Sequence, residues 1–269
     1  MIIDFHTHIF PDKIAEKTIS FLSSKGKIPP FASGSADGLI EKMAEAGVDI
    51  SVSLPVVTSP SQFDSINRFA VEINKKYRNE KIRIISFGGI HPKCDDIEGK
   101  MAFIKESGLL GVKIHPDYQE TFIDDEGYMK ILSCAKKHDL IVVAHAGVDC
   151  GYEGMPVRCT PDRAKRLISA VNHSKLVLAH LGANEMPDEV IRTLCGENVY
   201  FDTAYALRFI GEDNFKKILK SHGEDKLLFA TDSPWSDIKN DIAILKSFSL
   251  GEETEDKIFY KNARKLLGI

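Results

Sequence analysis

The chain has 269 residues, 35 lysines and arginines against 39 aspartates and glutamates, a formal charge of −4 and 43 % hydrophobic residues. That length suits one large domain with a sizeable core, and the charge balance leaves no basic surface of the kind nucleic acid needs. No apolar run approaches the roughly 20 residues of a membrane-spanning helix, and five cysteines without C-x-x-C spacing exclude a zinc finger and point to a reducing, cytoplasmic compartment.

The N-terminus has no basic region ahead of an apolar stretch, so it reads as a strand and not as a signal peptide. That strand is MIIDFHTHIF. In extended chain residues i and i+2 share a face, which puts His6 and His8 side by side, ready to converge on one metal ion. The stretch KGKIPPFASGSADG then reads as a loop over the mouth of the fold, and DGLIEKMAEAGV as a helix. Next come the strand DISVSLP, the helix SINRFAVEINKKY and the strand IRIISFGGI, followed by His91. The strand LLGVKIHP carries Lys113 and His115 two apart, on one face. EGYMKILSCAKKH is helical, LIVVAHA ends on His145, DRAKRLISAVNH is helical and KLVLAHLG ends on His180. NVYFDTA brings Asp202, NFKKILKSHG is helical, and LLFATDSP brings Asp232.

Eight nearly continuous apolar strands alternating with helices predict parallel strands buried on both faces. The expected fold is α/β, a single-domain (β/α)8 barrel over residues 1–269. An open doubly wound sheet lacks its G-x-G-x-x-G loop here.

In such a barrel the chemistry lies at the carboxyl ends of the strands. Of the nine histidines, His6, His8, His91, His115, His145 and His180 fall there, with Lys113, Asp202 and Asp232. His138, His173 and His222 fall near helix ends, where an imidazole satisfies free carbonyls, and receive no function. Imidazole and carboxylate suit zinc and neighbouring first-row metals, and an open position would hold a water whose pKa the metal lowers. An aspartate at the edge can ligate and take a proton, while a spare histidine can donate to an oxyanion. His91 and His115 each precede proline, so a pocket role and a turn role are balanced. The loop after the fifth strand carries Tyr152 and Arg158, and the one after the seventh Tyr205 and Arg208; either arginine is a candidate clamp for a substrate carboxylate. Cys134 and Cys195 read as core residues, and Cys150 and Cys159 as loop residues without a chemical role.

The motifs DFHTH, GVKIHP, AHAG, AHLG, TDSPW and NARKLLG together resemble the amidohydrolase superfamily, in the amidohydrolase-related branch that contains aminocarboxymuconate semialdehyde decarboxylase. The resemblance runs the length of the chain. It implies that His6, His8 and His145 bind a metal, that Asp232 is a ligand or base, and that His180 is the catalytic histidine or a ligand of a second ion. It implies one divalent ion, zinc in the first instance, with two open, because a lysine at the place of Lys113 is carboxylated and bridges two metals in binuclear members. The expectation for Lys113 is a free amine paired with Asp232 or with a substrate carboxylate. Asn262 matches a family signature but lies on the last helix, away from the rim, and reads as structural. The residues after His180 are LGANE, unlike the adenosine-deaminase-like branch, and the fourth strand lacks the glutamate of TatD-type nucleases.

The first expectation for function is a metal-dependent hydrolase that turns metal-activated water on a C–N or C–O bond of a small molecule. The alternative is a non-oxidative decarboxylase of an aromatic or unsaturated acid. A remote third is a barrel that merely holds a metal. A homo-oligomer is compatible with all three; nucleic-acid and membrane partners are not expected.

Overall fold

The apolar runs become short parallel strands in the computed structural model, which describes residues 1–269. They are β1 (Ile3–Thr7), β2 (Ile50–Ser53), β3 (Arg83–Ser86), β4 (Gly88–Gly89), β5 (Gly111–Ile114), β6 (Ile141–Ala144), β7 (Leu176–Leu178), β8 (Tyr200–Asp202) and β9 (Leu227–Leu228). Each pairs in parallel with the next within the runs β1-β2-β3 and β4 to β9. The Thr7–Ser233 bridge closes the ring, with Phe5 N–H donating to Phe229 O (2.9 Å), His8 N–H to Ser233 O (2.7 Å) and Asp232 N–H to His6 O (2.8 Å).

β3 and β4 are halves of what the sequence presents as one strand. The break at Phe87 has a cause in the helix α3 (Phe63–Tyr77). The Asn67 amide inserts into the ladder: its Nδ2 donates to Gly89 O at 2.9 Å and its Oδ1 accepts from Gly89 N at 3.0 Å. A side chain at Gly88 would meet that oxygen at 2.3 Å, so glycine is required there. The ring therefore keeps eight strand positions, as expected, with one of them split.

Helices cover the outside: α1 (Asp12–Gly26) and α2 (Ala36–Ala46) after β1, α3 (Phe63–Tyr77) after β2, α4 (Ile97–Glu106) after β4 and α5 (Glu126–His138) after β5. Then come α6 (Pro161–Ala170), α7 (Pro187–Thr193), the pair α8 (Leu207–Ile210) and α9 (Glu212–His222), and α10 (Ile238–Ser247). α11 (Glu252–Asp256) and α12 (Asn262–Leu267) end the chain, joined by one π-helical turn. Local chemistry explains several starts. Ser35, Asp125 and Thr160 each accept a free backbone N–H at a helix N-terminus, and Pro161 takes the first position of α6. On α3, Phe63, Asn67, Ala70, Ile73 and Tyr77 form the buried stripe. Asn262 is structural, as expected: its Nδ2 donates to Glu224 O (2.7 Å) and Leu227 O (2.8 Å), tying α12 to the start of β9. No helix is long and apolar enough to cross a membrane.

The two-residue period of a strand decides where chemistry appears. On β6, Val142 and Ala144 join the large apolar cluster under the helices, while Ile141 and Val143 join a second cluster of 16 residues within the ring. His145 is the next residue on that inner face. On β9 the inner series is Leu228, Ala230, then Asp232. On these two strands the inner positions go first to packing and, at the carboxyl end, to a polar group, whereas the inner series of β2 ends on Leu54.

Candidate metal centre

His6, His8 and Asp232 meet where β1 adjoins the end of β9. Asp232 Oδ1 lies 3.0 Å from His8 Nε2 and 3.5 Å from His6 Nε2. The outer nitrogens fix the tautomers. His8 Nδ1 faces Leu54 O at 2.9 Å, and a carbonyl only accepts, so the proton is on Nδ1. His6 Nδ1 faces Asp202 Oδ2 at 2.9 Å in a fully buried pair, with the same consequence. Burial first, then Lys113, holds the His6 imidazole well below its usual pKa, so it is neutral. Two unprotonated nitrogens and a carboxylate oxygen thus face one another, a contact that a cation or an extra proton between them relieves, with the Lys113 amine the one donor that reaches His6 Nε2. This is the arrangement of a metal-ligating histidine with its second nitrogen held by a carboxylate or carbonyl, and the donor set fits a divalent metal.

Lys113 reaches the same point. Its Nζ is 3.0 Å from His6 Nε2, and the side chain is buried. Burial pulls its pKa down to about 8, against the raising effect of Asp202 and Asp232. The expected pairing with Asp232 is not what the structure shows: the hydrogen-bond partner of the amine is His6, and the two carboxylates act on it from further away.

His145 and His180 form the neighbouring pair. His180 Nδ1 donates to Ala204 O at 2.8 Å, leaving Nε2 bare and 2.9 Å from His145 Nδ1. His145 is neutral, its pKa held well down by burial and then by His115. Its one proton has two claimants. Placed on Nδ1 it bonds His180, and Nε2 is then buried without a partner, 3.9 Å from both Asp117 Oδ2 and Asp149 Oδ2. Placed on Nε2 it faces those carboxylates and frees Nδ1 as a donor atom beside His180 Nε2. His145 is thus one imidazole removed from the His6–His8–Asp232 trio, with His180 between: the His6 and His180 rings are 5.4 Å apart, and His145 and His180 4.7 Å.

His115 stacks on His145 with ring centroids 4.1 Å apart and its Nε2 3.3 Å from Asp149 Oδ2, a second place where His115, His145 and Asp149 cluster. The other expected site residues sit elsewhere. His91 is buried, does not line the cavity, and accepts the Lys93 N–H at Nδ1 (3.0 Å), which is the turn role. Arg158 is engaged with Asp117 (3.4 Å), and Arg208 donates to Trp235 O (3.0 Å) with its guanidinium over the Tyr205 ring. Neither lines the cavity, so neither is placed as the carboxylate clamp. Tyr152 presents its face to Lys25 Nζ at 3.7 Å, outside the lining. Cys159 is buried; Cys150 does line the cavity, its thiol pushed up to about 11 by burial and by Asp149, which keeps it protonated.

All of the catalytic candidates open onto one cavity of about 550 Å3. Gly26, which ends α1, and Ile28 of the loop that follows line it, as a loop over the mouth should. Residues the sequence did not assign also contribute. Asp202 joins the site from below, Tyr118 and Asp149 come from loops, and Trp235 follows Asp232 by one turn. Asp202 carried a signal, since it ends a strand on the same rim; Tyr118 and Asp149 carried none. The loops of His145 and His180 are clasped together: Gly147 pairs with Asn184, and a side chain at Gly147 would strike Asn184 N at 2.0 Å, which explains the glycine of AHAG. His180 (φ 59°) and Asp232 (φ 68°) both adopt the left-handed backbone region.

The family model described as Amidohydrolase matches residues 3–269. The chain belongs to the amidohydrolase family. It is therefore an enzyme of a metal-dependent class, on a barrel of the expected kind. Three solved structures of decarboxylases show the same fold: 2,6-dihydroxybenzoate decarboxylase from Rhizobium (17 % identity, 99 % of this chain and 98 % of that one, TM-score 0.72), 5-carboxyvanillate decarboxylase from Sphingomonas paucimobilis (12 %, 100 % and 99 %, 0.71), and 5-carboxyvanillate decarboxylase from Novosphingobium aromaticivorans complexed with manganese (16 %, 100 % and 96 %, 0.72). No curated protein sequence matches this one.

Proposed function

We propose that this amidohydrolase-family enzyme is a metal-dependent decarboxylase that releases CO2 non-oxidatively from an aromatic or unsaturated carboxylic acid. The observation that carries the reading is the form of the cavity. Its charged groups are confined to the floor, at Lys113, Asp149, Asp232 and the histidines, and everything above them is uncharged. The fold shared with three decarboxylases supports it.

His6, His8 and Asp232 would hold the ion, with His145 the next donor along. When bound, the ion supplies the positive charge that holds the substrate carboxylate and spreads the charge developing beside it. The chain does the rest. Asp202 fixes the His6 tautomer. The apolar walls strip water from the carboxylate, which favours its conversion to neutral CO2. As the carbon–carboxyl bond breaks, its electron pair stays on carbon and must take a proton. His180, whose Nδ1 proton is held by Ala204 O, first takes up a second proton at its bare Nε2, from water or from His145 Nδ1 2.9 Å away, and delivers that proton to the carbon. The metal is a divalent first-row ion; imidazole and carboxylate ligands suit both zinc and the manganese seen in the Novosphingobium enzyme.

A specific observation also favours hydrolysis. Lys113 Nζ, at 3.0 Å from His6 Nε2, stands where a carboxylated lysine could bridge to the His145–His180 pair and seat a second ion. Metal content by plasma mass spectrometry, with CO2 release and hydrolysis assayed on hydroxybenzoates, enoic acids, amides, esters and lactones, separates the two. One ion per chain and CO2 release that His180→Asn abolishes without metal loss supports decarboxylation. Two ions per chain with turnover of amides, esters or lactones alone overturns it.

A further inference from the structure

The cavity is larger than its chemical floor needs, and its upper walls come from two helices in an unusual way. α1 directs Ile14, Phe21 and Leu22 to it, and α3 directs Ile66 and Phe69. Both sets follow the spacing of one helical stripe, yet the α1 stripe is not packed away, with Phe21 65 % exposed and Ile14 49 % exposed, and the α3 pair is only half-buried. On α3 the fully buried stripe is a different one, Phe63, Asn67, Ala70, Ile73 and Tyr77; Ile66 and Phe69 are only half-buried, Phe69 packing one side against the core and turning the rest to the cavity. No charged residue lies among these walls; their polar groups are neutral ones, on Thr18, Thr58, Gln62, Ser65, Asn184 and the aromatic Tyr118, Tyr205 and Trp235. Exposed apolar side chains that face one another across a gap continuous with a reaction site are what a hydrophobic ligand covers.

We infer that the α1–α3 groove is the seat of an extended apolar tail on the substrate, so that the substrate class is a carboxylic acid with an alkyl or aryl chain running away from the acid group and without a second charge. The inference rests on the reading of this cavity as the substrate site. It also fits the displacement of Arg158 and Arg208 from the cavity, because a tail of this kind offers no second anion to clamp.

The test is binding, read without turnover. Trp235 is the single tryptophan and lines the cavity, so its emission reports occupancy. The metal-loaded enzyme is titrated with benzoate and its 4-ethyl, 4-butyl and 4-hexyl derivatives. Burial of each methylene should tighten binding about three- to fourfold until the chain reaches solvent. Phe21→Ser, at an exposed position that does not threaten folding, and Phe69→Ser should each flatten that slope while leaving benzoate binding unchanged. Affinity independent of chain length, or a length dependence untouched by both substitutions, overturns the groove. The outcomes are separable from those of the decarboxylase reading: length-dependent binding with no CO2 release from any acid supports the groove and overturns the reaction, and CO2 release with flat binding does the reverse.

Discussion

Replacing Asp202 with asparagine tests the proposed metal centre without touching a proposed ligand. Asp202 is fully buried and makes three contacts: Oδ2 accepts from His6 Nδ1 at 2.9 Å, and Oδ1 accepts from the backbone N–H groups of His180 (2.9 Å) and Ala204 (3.1 Å). An asparagine keeps one oxygen, and the two backbone donors claim it. Its NH2 group must then face His6 Nδ1, which becomes the acceptor, and the imidazole proton moves to Nε2. That is the nitrogen that has to be bare to hold an ion. Disturbing the partner behind a ligating histidine lowers metal affinity roughly 10- to 100-fold, equivalent to about 1.4–2.7 kcal/mol. The measurement is competition against a chromogenic chelator for manganese and zinc, with circular dichroism to establish that the variant folds. A folded Asp202→Asn enzyme that binds its metal as tightly as wild type would refute the tautomer argument and with it the assignment of His6 Nε2.

Three further outcomes are expected. Asn67→Ala removes the amide that completes the ladder at Gly89 and orphans a buried N–H and a buried C=O, at roughly 1–3 kcal/mol each; urea unfolding should show a loss of about 3 kcal/mol, and no loss would mean that the break at Phe87 has another cause. His222 donates from Nε2 to Val199 O and accepts Gly196 N–H at Nδ1, so the folded state holds it neutral, with a pKa lowered by burial from 6.5 to about 4. Unfolded chains take up this proton first as pH falls, so the contribution of His222 is complete above pH 6.5 and is lost towards pH 4; by denaturant titration, His222→Gln should lack about 3 kcal/mol of the wild-type decline over that window. Arg208→Ala should leave KM for a carboxylated substrate within about twofold, since the side chain is spent on Trp235 O and the Tyr205 ring; a KM about tenfold higher would restore the clamp.

The barrel was legible because each strand repeats one pattern, an apolar run closed by a polar residue, and because six histidines in that place exceed what packing uses. The split of the third strand was not, since Phe87 and the two glycines after it look like a continued strand until Asn67, on a different element, is known to grip Gly89. Two of the three helix-end histidines did satisfy carbonyls, though not those of their own helices: His173 Nε2 bonds Leu140 O and His222 Nε2 bonds Val199 O, each just before a neighbouring strand, whereas His138 Nε2 is buried without a partner. The arginines show the limit most clearly. A loop position says that a side chain can reach the mouth, but which way it turns depends on partners such as Asp117 and Trp235 that only the folded chain supplies. For the same reason Lys113 was expected beside Asp232 or a substrate carboxylate, and the neighbour within hydrogen-bond reach, His6, was not foreseen.

The left-handed backbone at His180 and Asp232 sets a direction for the history of the protein. Each such residue costs on the order of 1 kcal/mol that glycine would not, and both belong to the crowd of polar groups that burial already penalises. Under the roles proposed for His180 and Asp232, drift toward a more stable barrel and loss of chemistry are the same step at these two positions. A descendant released from its reaction should acquire glycine at 180 or 232 while the inner faces of β6 and β9 stay as they are, and the order of those losses would date the end of selection for catalysis.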